Sequence, residues 1–163
     1  MTSSIIVTDD LSVTSGRALR EVFSKQLKLQ ILESPDEGSL STFEGKLLHS
    51  AVSINGEKIS GTVLLQLPEA LAHQITEIML GSAGDAEEIR DVTGEICNMI
   101  AGRVKAELHA SGYPATLGTP TVSVGQRIAL QQRGEARLSS TDWLVEGHDT
   151  GTLNLQVQIR IIA

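Results

Sequence analysis

Aromatic residues are nearly missing from this sequence: Phe23, Phe43, Tyr113 and Trp143 are all that 163 residues contain. The core must therefore come from Leu, Ile, Val and Ala, and the stacking platforms that single-stranded nucleic acid needs are lacking. Positive charge is short as well. Thirteen Lys and Arg stand against twenty Asp and Glu, giving a net charge of −7. Phosphate backbones attract concentrated positive charge, so this balance argues against a nucleic-acid binder. The lone cysteine, Cys97, permits neither an intramolecular disulfide nor a multi-cysteine metal cluster, which suits a reducing compartment. No stretch reaches the ~18 continuous apolar residues of a membrane-spanning helix. The opening MTSSIIVTDD has neither the basic start nor the long apolar run of a signal peptide. The expected location is cytoplasmic, without membrane insertion.

What is present suits a globular protein: 40% hydrophobic and 20% charged residues, enough to bury a core. No linker, composition break or fixed-period repeat divides the chain, so residues 1–163 are expected to form a single domain. Val13, Leu19, Val22, Phe23 and Leu27 recur at helical steps and predict an amphipathic helix. Lys28 to Glu33 reads as a short strand, and Ser34-Pro-Asp-Glu-Gly-Ser as a loop. Gly45 to Ile54 and Gly61 to Leu67 are strand-like and joined by Asn55-Gly56-Glu57-Lys58, a hairpin signal because Asn-Gly tolerates positive φ. Pro68 suits the first turn of a helix whose apolar face is Leu71, Ile75, Ile78 and Met79, ended by Gly81. A long helix follows over residues 86–110. Strands are expected at Thr119 to Val124, Ile128 to Leu130, Arg137 to Val145 and Thr152 to Ile162, with Gly147-His-Asp-Thr-Gly as the last turn. This order predicts an α+β fold, a mostly antiparallel sheet packed against helices.

The long helix carries the chemistry. Ile89, Val92, Ile96, Ile100 and Val104 form its inward face, while Asp91, Glu95, Asn98 and Gly102 line up on the other at spacings of four, three and four. Arg103 and Glu107 fall toward the apolar side, so the last two turns must leave the core or meet a partner. Gly102 costs roughly 1 kcal/mol relative to alanine in a helix interior, and close approach by another body is one reason to accept it. Glu95 can accept a cation or a hydrogen bond. Asn98 can donate and accept at once, and a carboxamide orients water without titrating, as phosphoryl hydrolysis by GTPases illustrates. The plain alternative is that all four are ordinary solvated helix residues. Elsewhere His49, His73, His109 and His148 lack metal-ligand spacing. Gly81-Ser-Ala-Gly84 has no Gly-Lys-Ser/Thr ending and reads as a hinge. Cys97, at the edge of the apolar face, reads as a half-buried structural thiol.

Asp91-Val-Thr-Gly-Glu95-Ile-Cys-Asn98-Met-Ile-Ala-Gly102-Arg-Val-Lys resembles the signature helix of the CheC/CheX/FliY chemotaxis phosphatases, Asp/Ser-x₃-Glu-x₂-Asn. Its context is similar too: Asn55-Gly56 with Gly61-Thr-Val-Leu-Leu-Gln-Leu-Pro68, then Ala70-Leu-Ala-His-Gln-Ile, Met79-Leu-Gly81, and Gly112-Tyr113 leading to Thr119-Pro-Thr-Val-Ser-Val-Gly125. The resemblance covers roughly Leu47 to Ile162. It implies hydrolysis of the aspartyl-phosphate of a CheY-type response-regulator receiver. Glu95 would pair with the receiver's active-site lysine, Asn98 would place the attacking water, and Asp91 and Gly102 would belong to the partner-binding face. Mg²⁺ would sit on the receiver, with no metal or cofactor in this chain. In the first helix, Arg17-x₃-Glu21-x₂-Ser24 lacks the Asp/Ser and the Asn, so a second site is expected to be absent, as in CheX-type members. A homodimer with a sheet shared by both chains is implied, and the long apolar strand Thr152 to Ile162 is its expected edge. Two other readings remain: a non-catalytic adaptor of this fold that binds a receiver or a flagellar-switch component, and a purely structural homodimeric domain.

Overall fold

The computed structural model describes residues 11–34, 45–132, 134–147 and 151–162. Three helices, α1 (Leu11–Val22), α2 (Glu69–Leu80) and α3 (Ala86–Ala110), cover one face of a sheet. Its strands are β1 (Ile31–Glu33), β2 (Leu47–Asn55), β3 (Ile59–Pro68), β4 (Thr116–Leu117), β5 (Thr121–Gly125), β6 (Arg137–Val145) and β7 (Thr152–Ile161). They run in the order β1-β6-β7-β3-β2, with β4 and β5 both on the far edge of β2. Every pairing is antiparallel. The architecture is the expected α+β. The interior is aliphatic: Leu48, Val52, Val63, Leu65, Leu155 and Val157 from the sheet meet Leu19, Phe23, Leu71, Ile75, Ile96 and Ile100 from the helices. Each full burial of this kind contributes about 1.5–3 kcal/mol.

Local chemistry sets the helix ends that aim α3. Asp85 accepts from Glu88 N–H at 2.8 Å, and the Glu88 carboxylate accepts from Asp85 N–H at 3.1 Å. This capping box fixes the start of a helix whose bounds are those the sequence predicts. Pro68 closes β3 and stands just before α2 rather than inside it, and Gly81, at φ 76°, ends that helix. The first helix stops sooner than its periodicity suggests. It passes into a π-helical turn, Phe23–Leu27, and Lys28 halts it in a left-handed conformation. Val13 and Ile78, expected on apolar faces, are 54% and 42% exposed. Trp143 fixes α1 on the sheet: Arg20 lies over the indole 4.9 Å from its centroid, and the indole N–H donates to Thr141 Oγ1.

Three further expectations are corrected. Thr152 to Ile162 does not offer an edge, since β7 lies between β6 and β3 and bonds to both. Strand order is non-local, and an alternating apolar face fits a central strand as well as an edge. Ile128 to Leu130 is not a strand. It crosses the outer face of the sheet, where Gln66 and Gln156 both donate to Ile128 C=O, at 2.9 and 3.0 Å, and accept from Ile128 N–H and Leu130 N–H. Side-chain amides replace the ladder there. Asn55-Gly56 does make the hairpin turn, but Gly56 has no positive φ. Its lack of a side chain matters because a Cβ would collide with the Pro114 carbonyl oxygen. The loop within 35–39, the turn at 148–150 and residues 1–10 lie outside the described residues.

Gly56→Ala should therefore destabilise the fold by about 1–3 kcal/mol, since the obstructing atom is backbone and cannot rotate away. Urea unfolding followed by the fluorescence of buried Trp143, the sole tryptophan, measures this, and an unchanged midpoint would contradict the contact.

Candidate functional site

Helix α3 divides into two faces, as its spacing predicts. Ile89, Val92, Ile96, Ile100 and Val104 are buried, joined by Cys97, Ala101 and Leu108. Opposite them, Asp91 and Glu95 are exposed and Asn98 and Gly102 half-buried. Glu95 and Asn98 are about 4.5 Å apart along the axis, and Gly102 lies about 6 Å further on. Among the described residues, Asp91, Glu95 and Asn98 have no side-chain hydrogen bond or ion pair. A Cβ placed on Gly102 would meet nothing within 4 Å. Nothing within the chain therefore requires glycine here, although a solvated helix interior favours alanine. Asp91 belongs to the second turn, not the first, so the charge at the helix start comes from Asp85, Glu87 and Glu88.

The last two turns do not leave the core, because Val104 and Leu108 stay buried. Arg103 and Glu107 find their partner in α1. Arg103 pairs with Glu21, and Arg17 donates to Glu107 at 3.0 Å. These two pairs bridge α1 and α3 beside the exposed stripe. They also settle the fate of Arg17-x₃-Glu21-x₂-Ser24, since Glu21 is held by Arg103 and Ser24 sits in the π-helical turn. No second copy of the stripe forms there.

Cys97 seats the helix from below. It is fully buried rather than half-buried, and its thiol contacts Ser50 C=O at 3.3 Å and Val63 C=O at 3.8 Å. Burial pushes its pKa up to about 12, against a smaller downward pull from Ser50 and the Leu65 backbone. A protonated thiol is not a nucleophile, so Cys97 is structural. The histidines are scattered. His49 is buried on the outer sheet face beside Ser123, His73 lies 3.9 Å from Glu69, His109 is exposed on α3, and His148 falls outside the described residues. Among the described residues, no three His, Cys, Asp or Glu side chains converge on a point. Their helices include none long and apolar enough to cross a membrane. Sequence reasoning stopped the stripe at Gly102, but the same spacing continues through Lys105 and His109 on this face.

A carboxylate, a carboxamide and a gap on a convex helix cannot enclose a small molecule, but they can enter the shallow site of another protein. The fold and site thus define an α+β protein whose sheet-seated helix turns a polar stripe outward. A scan of protein families matches residues 49–141 to "Chemotaxis phosphatase CheX". Comparison with curated proteins finds no match. Among solved structures, the chemotaxis protein CheX from Vibrio vulnificus superposes with a TM-score of 0.74 at 22% identity, covering 91% of this chain and 95% of that one. A CheC-like superfamily protein from Shewanella sp. PV-4 gives 0.73 at 19%, covering 94% and 99%. The Borrelia burgdorferi CheX in a CheX–CheY–BeF3–Mg²⁺ complex gives 0.68 at 18%, covering 91% and 96%. The chain belongs to the CheX family of chemotaxis phosphatases.

The buried thiol gives the site helix a pH signature. Unfolded, Cys97 ionises near its ordinary value of 9.0, whereas folded it holds its proton to about 12. Its stabilising contribution is thus complete below pH 9 and falls as the pH rises from 9 toward 12. Urea midpoints at pH 8 and pH 10 should drop less for Cys97→Val than for wild type. Ellman's reagent should leave the native thiol unmodified.

Proposed function

We propose that this chain hydrolyses the aspartyl-phosphate of a CheY-type receiver by laying α3 across the phosphorylation site. The observation that carries this reading is the stripe itself: Glu95, Asn98 and Gly102 face outward on a firmly seated helix, and among the described residues no hydrogen bond or ion pair engages the two side chains. Glu95 accepts a charge-assisted hydrogen bond from the receiver's active-site lysine and so fixes the register of docking. Asn98 holds a water in line with the phosphorus, its amide oxygen accepting a hydrogen bond from one O–H of that water. The water oxygen bonds to phosphorus, and the bond to the aspartyl carboxylate breaks. The carboxylate leaves with the bonding pair, and the displaced proton passes to phosphate or solvent. The open side of Gly102 lets the receiver's backbone approach, and Asp91 contributes to the same face. Mg²⁺, when bound, neutralises phosphoryl charge from a site on the receiver.

Glu95→Ala should weaken receiver binding by about 1.5–3 kcal/mol. Asn98→Ala should lower kcat about 100-fold while leaving binding much less affected. Both variants should remain folded, because Glu95 is exposed, Asn98 is only half-buried, and neither side chain is hydrogen-bonded among the described residues. Saturation kinetics of aspartyl-phosphate decay, with circular dichroism alongside, test this. If both folded variants match wild type, the assignment is wrong. An inactive wild type that still binds a phosphorylated receiver would make the chain an adaptor. Gly102→Ala separates stability from docking: it should raise stability by up to about 1 kcal/mol and weaken receiver binding.

A homodimer with a shared sheet belongs to the same proposal. With β7 central, the sheet ends among the described residues at β1 and at β4/β5. At β1, Leu32 and its cross-strand partner Leu144 are 60% and 41% exposed, apolar area that a joined sheet would cover. Light scattering should give a dimer at micromolar concentration and a monomer for Leu32→Lys. A dimer that persists in that variant would move the junction to β4/β5.

A further inference from the structure

At its C-terminal end, the outward stripe of α3 runs beyond Gly102 to Lys105 and His109. By helical rise, Lys105 stands about 10 Å past Asn98 and His109 about 16 Å past it. Here α3 meets the β2–β3 turn and the chain leading to β4, and together they bound a cleft of about 550 Å³. Lys58 from the turn and Lys105 and His109 from the helix line it, with Glu57 the one acidic side chain among them.

Two nearby arginines are already committed. Arg103 and Arg17 are consumed in ion pairs between the two helices, whereas Lys58, Lys105 and His109 pair with nothing among the described residues. Two uncommitted lysine charges, with an imidazole beside them, persist on a chain of net charge −7. The opposite end of the stripe carries Glu87, Glu88, Asp91 and Glu95. The docking face is therefore acidic where the chemistry would occur and basic two to three turns away.

We infer that the corner formed by Lys58, Lys105 and His109 binds a carboxylate-bearing segment of the same receiver, and that this contact selects which receiver is served. The inference rests on the function proposed above. Glu95 and Asn98 address a phosphoryl group and its neighbouring cation, which every phosphorylated receiver presents, so they discriminate poorly among receivers. A contact 10–16 Å away reaches surface that the reaction leaves free to vary. Complementary charge there favours the right partner, and a basic partner surface is repelled.

The test uses a CheY-type receiver that the wild-type chain binds, loaded with beryllofluoride and Mg²⁺ in place of the phosphoryl group. Calorimetry gives Kd, and phosphate release from the phosphorylated receiver gives kcat and KM. Lys58→Glu and Lys105→Glu should each raise Kd and KM about ten-fold or more at low salt, Lys105→Gln less, and added salt should shrink the difference. Reversing the facing receiver carboxylate to lysine should restore binding to Lys105→Glu, a coupling that a merely structural role would not produce. Unchanged Kd and KM in the folded variants would overturn the inference and leave the proposed function standing, as would a loss confined to kcat. Saturable binding of inorganic phosphate that Lys105→Gln abolishes, with receiver affinity unchanged, would assign the corner to a free anion and overturn it too. A wild type that binds the receiver but releases no phosphate would overturn only the catalytic reading, because Kd still reports on the corner. Failure to bind any receiver would sink both.

Discussion

Ile96, Cys97 and Ile100 hold α3 against the inner face of β2 and β3, and every other property of the site depends on that seating. A helix exposes a defined arc only when its remaining arc is fixed. Here the fixed part is wide, because the sheet, α1 and α2 all contact α3. The two ion pairs to α1 prevent rolling on one side, and the capping box prevents fraying at the start. What remains is a line of side chains that, among the described residues, make no hydrogen bond or ion pair. A partner protein would meet such a line with little reorganisation left to do.

Rigidity and reactivity are thus divided between two proteins. Glu95 is exposed and Asn98 half-buried on the convex side of a helix, and among the described residues no cluster could hold a metal. In the proposed reaction the receiver supplies the electrophile, the leaving group and the cation, while this chain supplies geometry. Under that proposal a carboxamide suffices at the centre, since orienting a water requires no titrating group.

Much of this was legible in the sequence where local rules govern. The bounds of α3 were those expected from the sequence, and β7 followed from its alternation, whereas the Asp85–Glu88 capping box emerged only in the structure. The stripe followed from residue spacing alone. What was not legible depended on distant residues. Arg103 and Glu107 looked misplaced until Glu21 and Arg17 were set beside them, some 80 to 90 positions away in the chain. Ile128 to Leu130 reads as a strand because its residues are apolar, yet the glutamines that bond its backbone lie on β3 and β7. Gly56 was rightly read as turn-forming for the wrong reason, because the crowding atom belongs to Pro114. The place of β7 at the centre of the sheet was likewise beyond any local rule.

That central place bears on how the protein is made. β3 pairs with β7 across an interval of about ninety residues, Val63 meeting Val157, and β6 is joined to β3 only through β7. On the ribosome, the β2–β3 hairpin and all three helices emerge while β3 still has one side open to solvent. The sheet cannot close until β7 has cleared the exit tunnel. Until then an apolar strand edge is exposed, and the slow step of folding is the capture of a strand made late by one made early.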